Sequence, residues 1–169
     1  MVLGNLKQLT PFFKEAFQHT LLVAKFFCGI HVTNSYICTF ALTQGPSMLP
    51  TFSLTGDLVL AERLSTQFEK MQRGDVVLMR SPENPRKIVI KRLIGMGGDT
   101  VRYVVDHVNN GTEDTIVVPD GHIWIEGDNK FNTNDSRKFG PVPYGLVQGR
   151  VFCIVWPPEN FGWVGREVQ

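Results

Sequence analysis

Three short stretches of this 169-residue chain hold side chains that could do chemistry together. In "GPSMLPT", Ser47 sits between two prolines. Serine and proline are common in turns, so one reading of Ser47 is a loop residue. The other is a nucleophile. In "KIVIKRLIG", from Lys87 to Gly95, two cations stand inside an aliphatic run. Alternate residues of a strand share a face, so Lys91 lies with Val89 and Leu93, and Arg92 with Ile90 and Ile94. Pattern alone does not choose between them, but chemistry does. Arginine stays protonated and cannot act as a base. Desolvation disfavours the charged form of lysine and lowers its pKa, and a neutral amine can take the proton of a serine hydroxyl. The plain alternative is an edge-strand lysine that reaches water past its neighbours. In "TNDSR", extended backbone puts Thr133, Asp135 and Arg137 on one side and Asn134 and Ser136 on the other. Asp135 and Arg137 could pair there while Thr133 offers a hydroxyl to an incoming amine. An Asx-rich surface turn with an ion pair of little worth is the alternative.

The elements that must position these residues are legible in outline. After Leu42 short Val- and Ile-rich runs alternate with Gly, Pro and Asp, as in "RGDVVLMRSPENP" and "GLVQGRVFCIVWPP". That texture predicts an antiparallel, mainly β domain over 43–169. A polar hairpin insertion is expected at about 103–120, with "NNG" as its turn and its acids on a solvated face. Helix is expected before residue 43. The run from Phe26 to Leu42 has no formal charge, which reaches the lower limit of about 17 residues for a spanning helix. Residues 1–42 are therefore read as a helical membrane anchor, with a buried core helix as the alternative. If that helix ends near Leu42, the short extended link to Ser47 keeps the hydroxyl within about 18 Å of the membrane surface. Trp156, Phe161 and Trp163 in "WPPENFGWVG" are read first as strand-end packing and second as an interfacial anchor.

Composition removes several function classes. A net charge of +1 argues against a nucleic-acid binder, which needs a basic excess to neutralise phosphates. The four histidines form no metal-binding pair, and the three cysteines (Cys28, Cys38 and Cys153) have neither CxxC spacing nor the even number of a disulfide framework. No metal and no cofactor is expected, and the thiols are expected to be free.

In order along the chain, "GPSMLPT", "GDLV", "RGDVV", "IKRLIGMGGD" and "GDNKFNTNDSR" resemble the motif series of type I signal peptidases, over roughly Gly45 to Pro143. The resemblance is strongest to the mitochondrial inner-membrane branch of that family, and the "GDN…DSR" ending fits one of its two sister subunits better than the other. It implies a coiled, barrel-like antiparallel sheet behind an N-terminal hydrophobic helix. It implies a membrane-bound serine endopeptidase that removes sorting peptides from precursors bound for the intermembrane space. Ser47 would be the nucleophile and Lys91 the general base. Thr133 stands where the family usually has a lysine-orienting serine, Asp135 and Arg137 match a supporting pair, and Met48 matches a residue lining the site. Gly127, Asp128 and Asn129 would shape backbone, while Asp57 and Asp75 would form turns. At Gly45 the chain departs from bacterial members, which carry a serine there that helps hold the oxyanion. The following Pro46 has no N–H to give, which leaves the second oxyanion donor open. The family also implies two shallow pockets for substrate side chains, a lipid bilayer and a sister subunit as partners, and a catalytic domain facing the intermembrane space.

The resemblance and the residues lead to one mechanism, the Ser–Lys variant of the serine-protease triad. Three other readings compete with it. A catalytically inactive partner subunit, or a β-barrel binding module of a membrane complex, is opposed by the intact Ser47, Lys91 and Thr133 hydroxyl. A self-cleaving repressor would need a DNA-binding module where this chain is apolar. A bacterial-type signal peptidase is opposed by the Gly-Pro pair before the serine and by the short insertion.

Overall fold

The computed structural model describes residues 2–105 and 112–166, with side chains from Phe13 onward. Two compact units divide at Ile37. The first is helix α1 (Val2–Val32), continued by a π-helical turn (Thr33–Ile37). Phe13, Phe17, Leu22, Phe26 and Phe27 on α1 are all exposed. No helix among the described residues is long and apolar enough to cross a membrane. The helix expected over 1–42 ends earlier than Leu42. The charge-free run beginning at Phe26 is cut in two: it is helical only to Ile37 and becomes strand β1 (Cys38–Leu42). The helix does not lead directly into the Ser47 loop, because β1 lies between them.

The second unit is an open, curled antiparallel sheet. After β1 come β2 (Leu58–Glu62), the short helix α2 (Leu64–Gln67), β3 (Val76–Arg80) and β4 (Ile88–Met96). A small hairpin follows, β5 (Thr100–Val104) and β6 (Glu113–Val117), and then β7 (His122–Glu126), α3 (Ser136–Phe139), β8 (Val142–Pro143), β9 (Val147–Trp156) and β10 (Gly162–Trp163). The sheet order is β1-β2-β9-β3-β4-β7-β8. β10 pairs with β9 at Ile154 and Cys153, beyond the stretch that β3 occupies. The mainly β, antiparallel expectation holds.

The Val- and Ile-rich strands bury apolar side chains on both faces. One core gathers Met48, Phe52, Val59, Val76, Leu78 and Val151. The other gathers Val77, Met79, Leu93, Ile123, Ile125 and Val142. Consecutive residues of β3 fall into opposite cores, as period-2 geometry demands. The β5–β6 hairpin is seated through Val101, Val118 and Trp124, with the Tyr103 ring 4.6 Å from that of Trp124. Its expected "NNG" turn lies outside the described residues. Glu113 and Asp114 are exposed, as a solvated face requires.

The C-terminal aromatics do not pack inward as first expected. Trp156, Phe161 and Trp163 are all largely exposed, and Trp163 stacks on Phe152 at 5.8 Å. They sit on a strand end and a two-residue edge strand, which offer no second layer to cover them. Asp57 and Asp75 do more than form turns. Asp57 is fully buried and accepts from the Ser53 N–H, the Ser53 hydroxyl and Asn160 Nδ2. Asp75 accepts from the Gln72 N–H and from Arg166 Nε. Both aspartates thereby tie the C-terminal segment to the body of the sheet. All three cysteines are free.

Candidate active site

The nucleophile stretch folds as a single 3₁₀ turn, Pro46–Met48, because Pro46 is already set for a helical first position. Gly45 caps the turn at φ +95°, a conformation that a serine adopts only with strain. The residue type that departs from bacterial members is thus the one this backbone needs. Met48 is buried and anchors the turn in the first core beside Phe52. Ser47 is left half-buried at the wall of a cleft of about 760 Å³.

Lys91 lines the same cleft from β4. It pairs across the sheet with Val77 and lies between Val89 and Leu93, which pack into the second core. It is 4% exposed, and its amine has no hydrogen bond or ion pair among the described residues. Burial pushes its pKa down to about 8; the Asp135 charge opposes this, and Lys87 and Arg137 reinforce it. Arg92 is equally buried but has another task. Its guanidinium grips Asp128 with Nε and Nη2, each at 2.7 Å, and donates through Nη1 to the carbonyls of Gly74 and Gly165. Lys91 is therefore the cation of this pair that faces the cleft without a partner, among the described residues.

The "TNDSR" segment forms the corner beside them. Asp135 is 1% exposed and caps α3. Its carboxylate accepts from the Gly127 N–H at 2.8 Å, from Thr133 Oγ1 at 2.9 Å and from Arg137 Nη2 at 2.7 Å. Burial alone would raise its pKa, but the Arg137 and Gly127 hydrogen bonds outweigh it and hold the carboxyl below the usual range. An ionised carboxylate only accepts, so the Thr133 proton points at Asp135. The lone pairs of Thr133 Oγ1 are then left for an N–H donor, and Thr133 lines the cleft with Lys91. The expected Asp135–Arg137 pair is present, by a different geometry. Asp135 is extended, but the chain turns helical at Ser136, so Arg137 folds back over its own cap. Ser136, on the opposite side, accepts from the Ile125 N–H and fixes the corner to β7.

The "GDN" residues hold the Ser47 turn from below. Gly127 backs onto it, and a β-carbon there would stand 2.5 Å from the Ser47 carbonyl oxygen. Asp128 accepts from the Thr51 hydroxyl. Asn129 donates its N–H to the Ser47 carbonyl and its side-chain amide to that of Pro46. This double grip by Asn129, and the place of Arg92 in the scaffold, go beyond the backbone-shaping role read from sequence. Their only sequence signal was the juxtaposition of Asx residues with the third motif.

One edge of the cleft is an open stretch of β4. On its β7 side, β4 is paired only from Arg92 onward. Ile88–Ile90 present that edge to the cleft with no strand on it among the described residues.

Ser47 and Lys91 thus line one cleft of a curled antiparallel sheet. The chain belongs to the signal peptidase, peptidase S26 family, which it matches over residues 15–113 and 104–156. It is 49% identical over 160 residues to the mitochondrial ATP-independent inner membrane protease subunit 1a of Arabidopsis thaliana, covering 95% of each chain. It is 41% identical over 137 residues to the human mitochondrial inner membrane protease subunit 1, covering 81% of each. To subunit 2 of Danio rerio it is 40% identical over 147 residues, covering 82% of this chain and 77% of that one. With relatives so named in plants, animals and yeast, the chain is a protease of the mitochondrial inner membrane.

Proposed function

We propose that this chain cleaves sorting peptides from precursors at the outer face of the mitochondrial inner membrane, using Ser47 as nucleophile and Lys91 as general base. The observation that carries the reading is the state of Lys91: 4% exposed, its amine without a hydrogen-bond partner among the described residues, and its pKa lowered to about 8 by burial, in the cleft that Ser47 lines. Neutral Lys91 takes the Ser47 proton as Oγ attacks the scissile carbonyl. The C–N bond then breaks, Lys91 returns the proton to the leaving amine, and a serine ester remains. Lys91 next takes a proton from the water that attacks the ester, and returns it to Ser47 Oγ as the acyl C–O bond breaks. Thr133, with its own proton committed to Asp135, accepts an N–H of Lys91 and turns the amine lone pair toward Ser47. The Ser47 N–H is the nearest backbone donor for the developing oxyanion.

Substrate would enter as an added strand along Ile88–Ile90, with alternate side chains directed into shallow pockets of the cleft. The exposed phenylalanines of α1 support association with lipid, and the relatives' names, which include subunits 1 and 2, support a sister subunit as partner. The test is cleavage of a membrane-sorted precursor by the full-length protein in detergent. One new N-terminus is expected, absent with Ser47→Ala. Cleavage that survives Ser47→Ala removes the proposal.

A further inference from the structure

We propose that Asn129 is a positioning residue that aims the Ser47 backbone N–H at the oxygen that becomes negative during peptide cleavage. This rests on the reading of Ser47 as nucleophile. Asn129 Nδ2 donates to the Pro46 carbonyl at 3.0 Å. That carbonyl and the Ser47 N–H are opposite ends of one trans peptide unit. The unit is planar, so neither end turns without the other. A grip on the Pro46 oxygen therefore fixes where the Ser47 N–H points.

Further observations give the grip its direction. The Leu49 N–H also donates to the Pro46 oxygen, at 3.3 Å. Two donors on one carbonyl polarise the unit and strengthen the N–H at its far end. The backbone N–H of Asn129 donates to the Ser47 carbonyl at 3.1 Å, so the peptide units on both sides of Ser47 are held. The amide of Asn129 is itself oriented, because Oδ1 accepts from the Phe131 N–H at 3.2 Å and Nδ2 is thereby turned to Pro46. Pro46 has no N–H of its own, so the Ser47 N–H bears a larger share of the oxyanion than it would behind a residue with a free donor. Gly127 adds a steric stop by backing onto the Ser47 carbonyl.

The test compares full-length protein in detergent with Asn129→Asp, which keeps the side-chain shape but turns an acceptor toward the Pro46 carbonyl. Steady-state cleavage of a single-site precursor peptide is measured for both, with Ser47→Ala alongside. The kcat is expected to fall about 10- to 100-fold, less than the full loss of an oxyanion donor, with KM within about twofold. Affinity for a peptide aldehyde, whose adduct has the tetrahedral oxygen, should fall by the same factor. The kcat is read on the high-pH plateau of each profile, because a carboxylate at 129 adds to the Asp135 and Asp128 charges that already raise the Lys91 pKa; Asn129→Ala, which adds no charge, should leave that pKa where it was. Unchanged kcat overturns the inference, as does a fall in kcat that tracks a displaced pKa or a loss of folded protein. If Asn129→Asp does not fold, Asn129→Ala is read by the same criteria. Turnover by Ser47→Ala would instead overturn the nucleophile assignment, so the two failures are distinct.

Discussion

Gly127 lies directly behind the carbonyl of Ser47, so close that a β-carbon on it would stand 2.5 Å from that oxygen and 2.3 Å from Thr133 Oγ1. One missing methyl group thus lets three parts of the site meet: the Ser47 turn, the Thr133 corner and the end of β7. Gly127→Ala must push the turn or the threonine aside. Overpacking of this kind costs about 1–3 kcal/mol of stability. Activity should suffer more, by a hundredfold or so, since a displacement near 1 Å already costs that much in a positioned site. Unfolding midpoints and cleavage rates measured on the same preparation separate the two effects, and near-native cleavage would place the reacting groups elsewhere.

In the proposed mechanism the pKa of Lys91 sets the pH dependence. The base must be neutral, and burial holds its pKa at about 8. kcat/KM should therefore rise about tenfold per pH unit below that value and level off above it. At pH 7 about one molecule in ten has the neutral amine. Lys91→Arg keeps the charge but cannot deprotonate, and should abolish cleavage at every pH. A rise centred near pH 4 to 5 would point to a carboxylate instead.

The same burial makes Lys91 a liability to the fold. Its pKa is lower folded, about 8, than the 10.5 of an ordinary lysine. Below pH 8 both states hold the proton and the burial cost is fully present. Between about pH 8 and 10.5 the unfolded chain binds more protons than the folded one, so stability rises with pH across that window. The cost below it is on the order of 3 kcal/mol. Lys91→Met fills similar space without charge. It should be inactive yet more stable than the parent at pH 7, with the gap closing toward pH 10.5. Equal denaturation midpoints at pH 7 would mean that the amine reaches water.

That Ser47 and Lys91 would line one cleft was legible because their motifs are short and locally rigid, and because only one of two adjacent cations can lose its proton. What strand alternation could not do was separate Lys91 from Arg92. β4 is buried on both faces, so each cation has apolar neighbours, and the distinction lies in Asp128 on a distant segment. The grip of Asn129 on Pro46 was illegible for the same reason, as it spans 83 residues of sequence. The end of the helix was missed because the apolar run continues from the π-helical turn into β1 with no charge, glycine or proline to mark the change. The Asp135–Arg137 pair was found by reasoning from an extended strand, although the pairing depends on a helix cap. Both geometries bring residues two apart onto one side.

Thr133 tests how far the hydroxyl at this corner matters. Its proton is committed to Asp135, at 2.9 Å, and its lone pairs are available to Lys91. Thr133→Ser keeps both functions and loses only a methyl group. It should retain most of the activity, with the pKa in the kcat/KM profile unmoved. Thr133→Val keeps the shape but removes donor and acceptor together, leaving one Asp135 lone pair without its partner and the Lys91 amine without a guide. A fall in kcat of about 10²-fold is expected, with a smaller change in KM, because the loss is felt as the proton moves rather than as the peptide binds. Equal kcat in the serine and valine variants would remove the hydroxyl from the mechanism and leave burial alone to prepare Lys91.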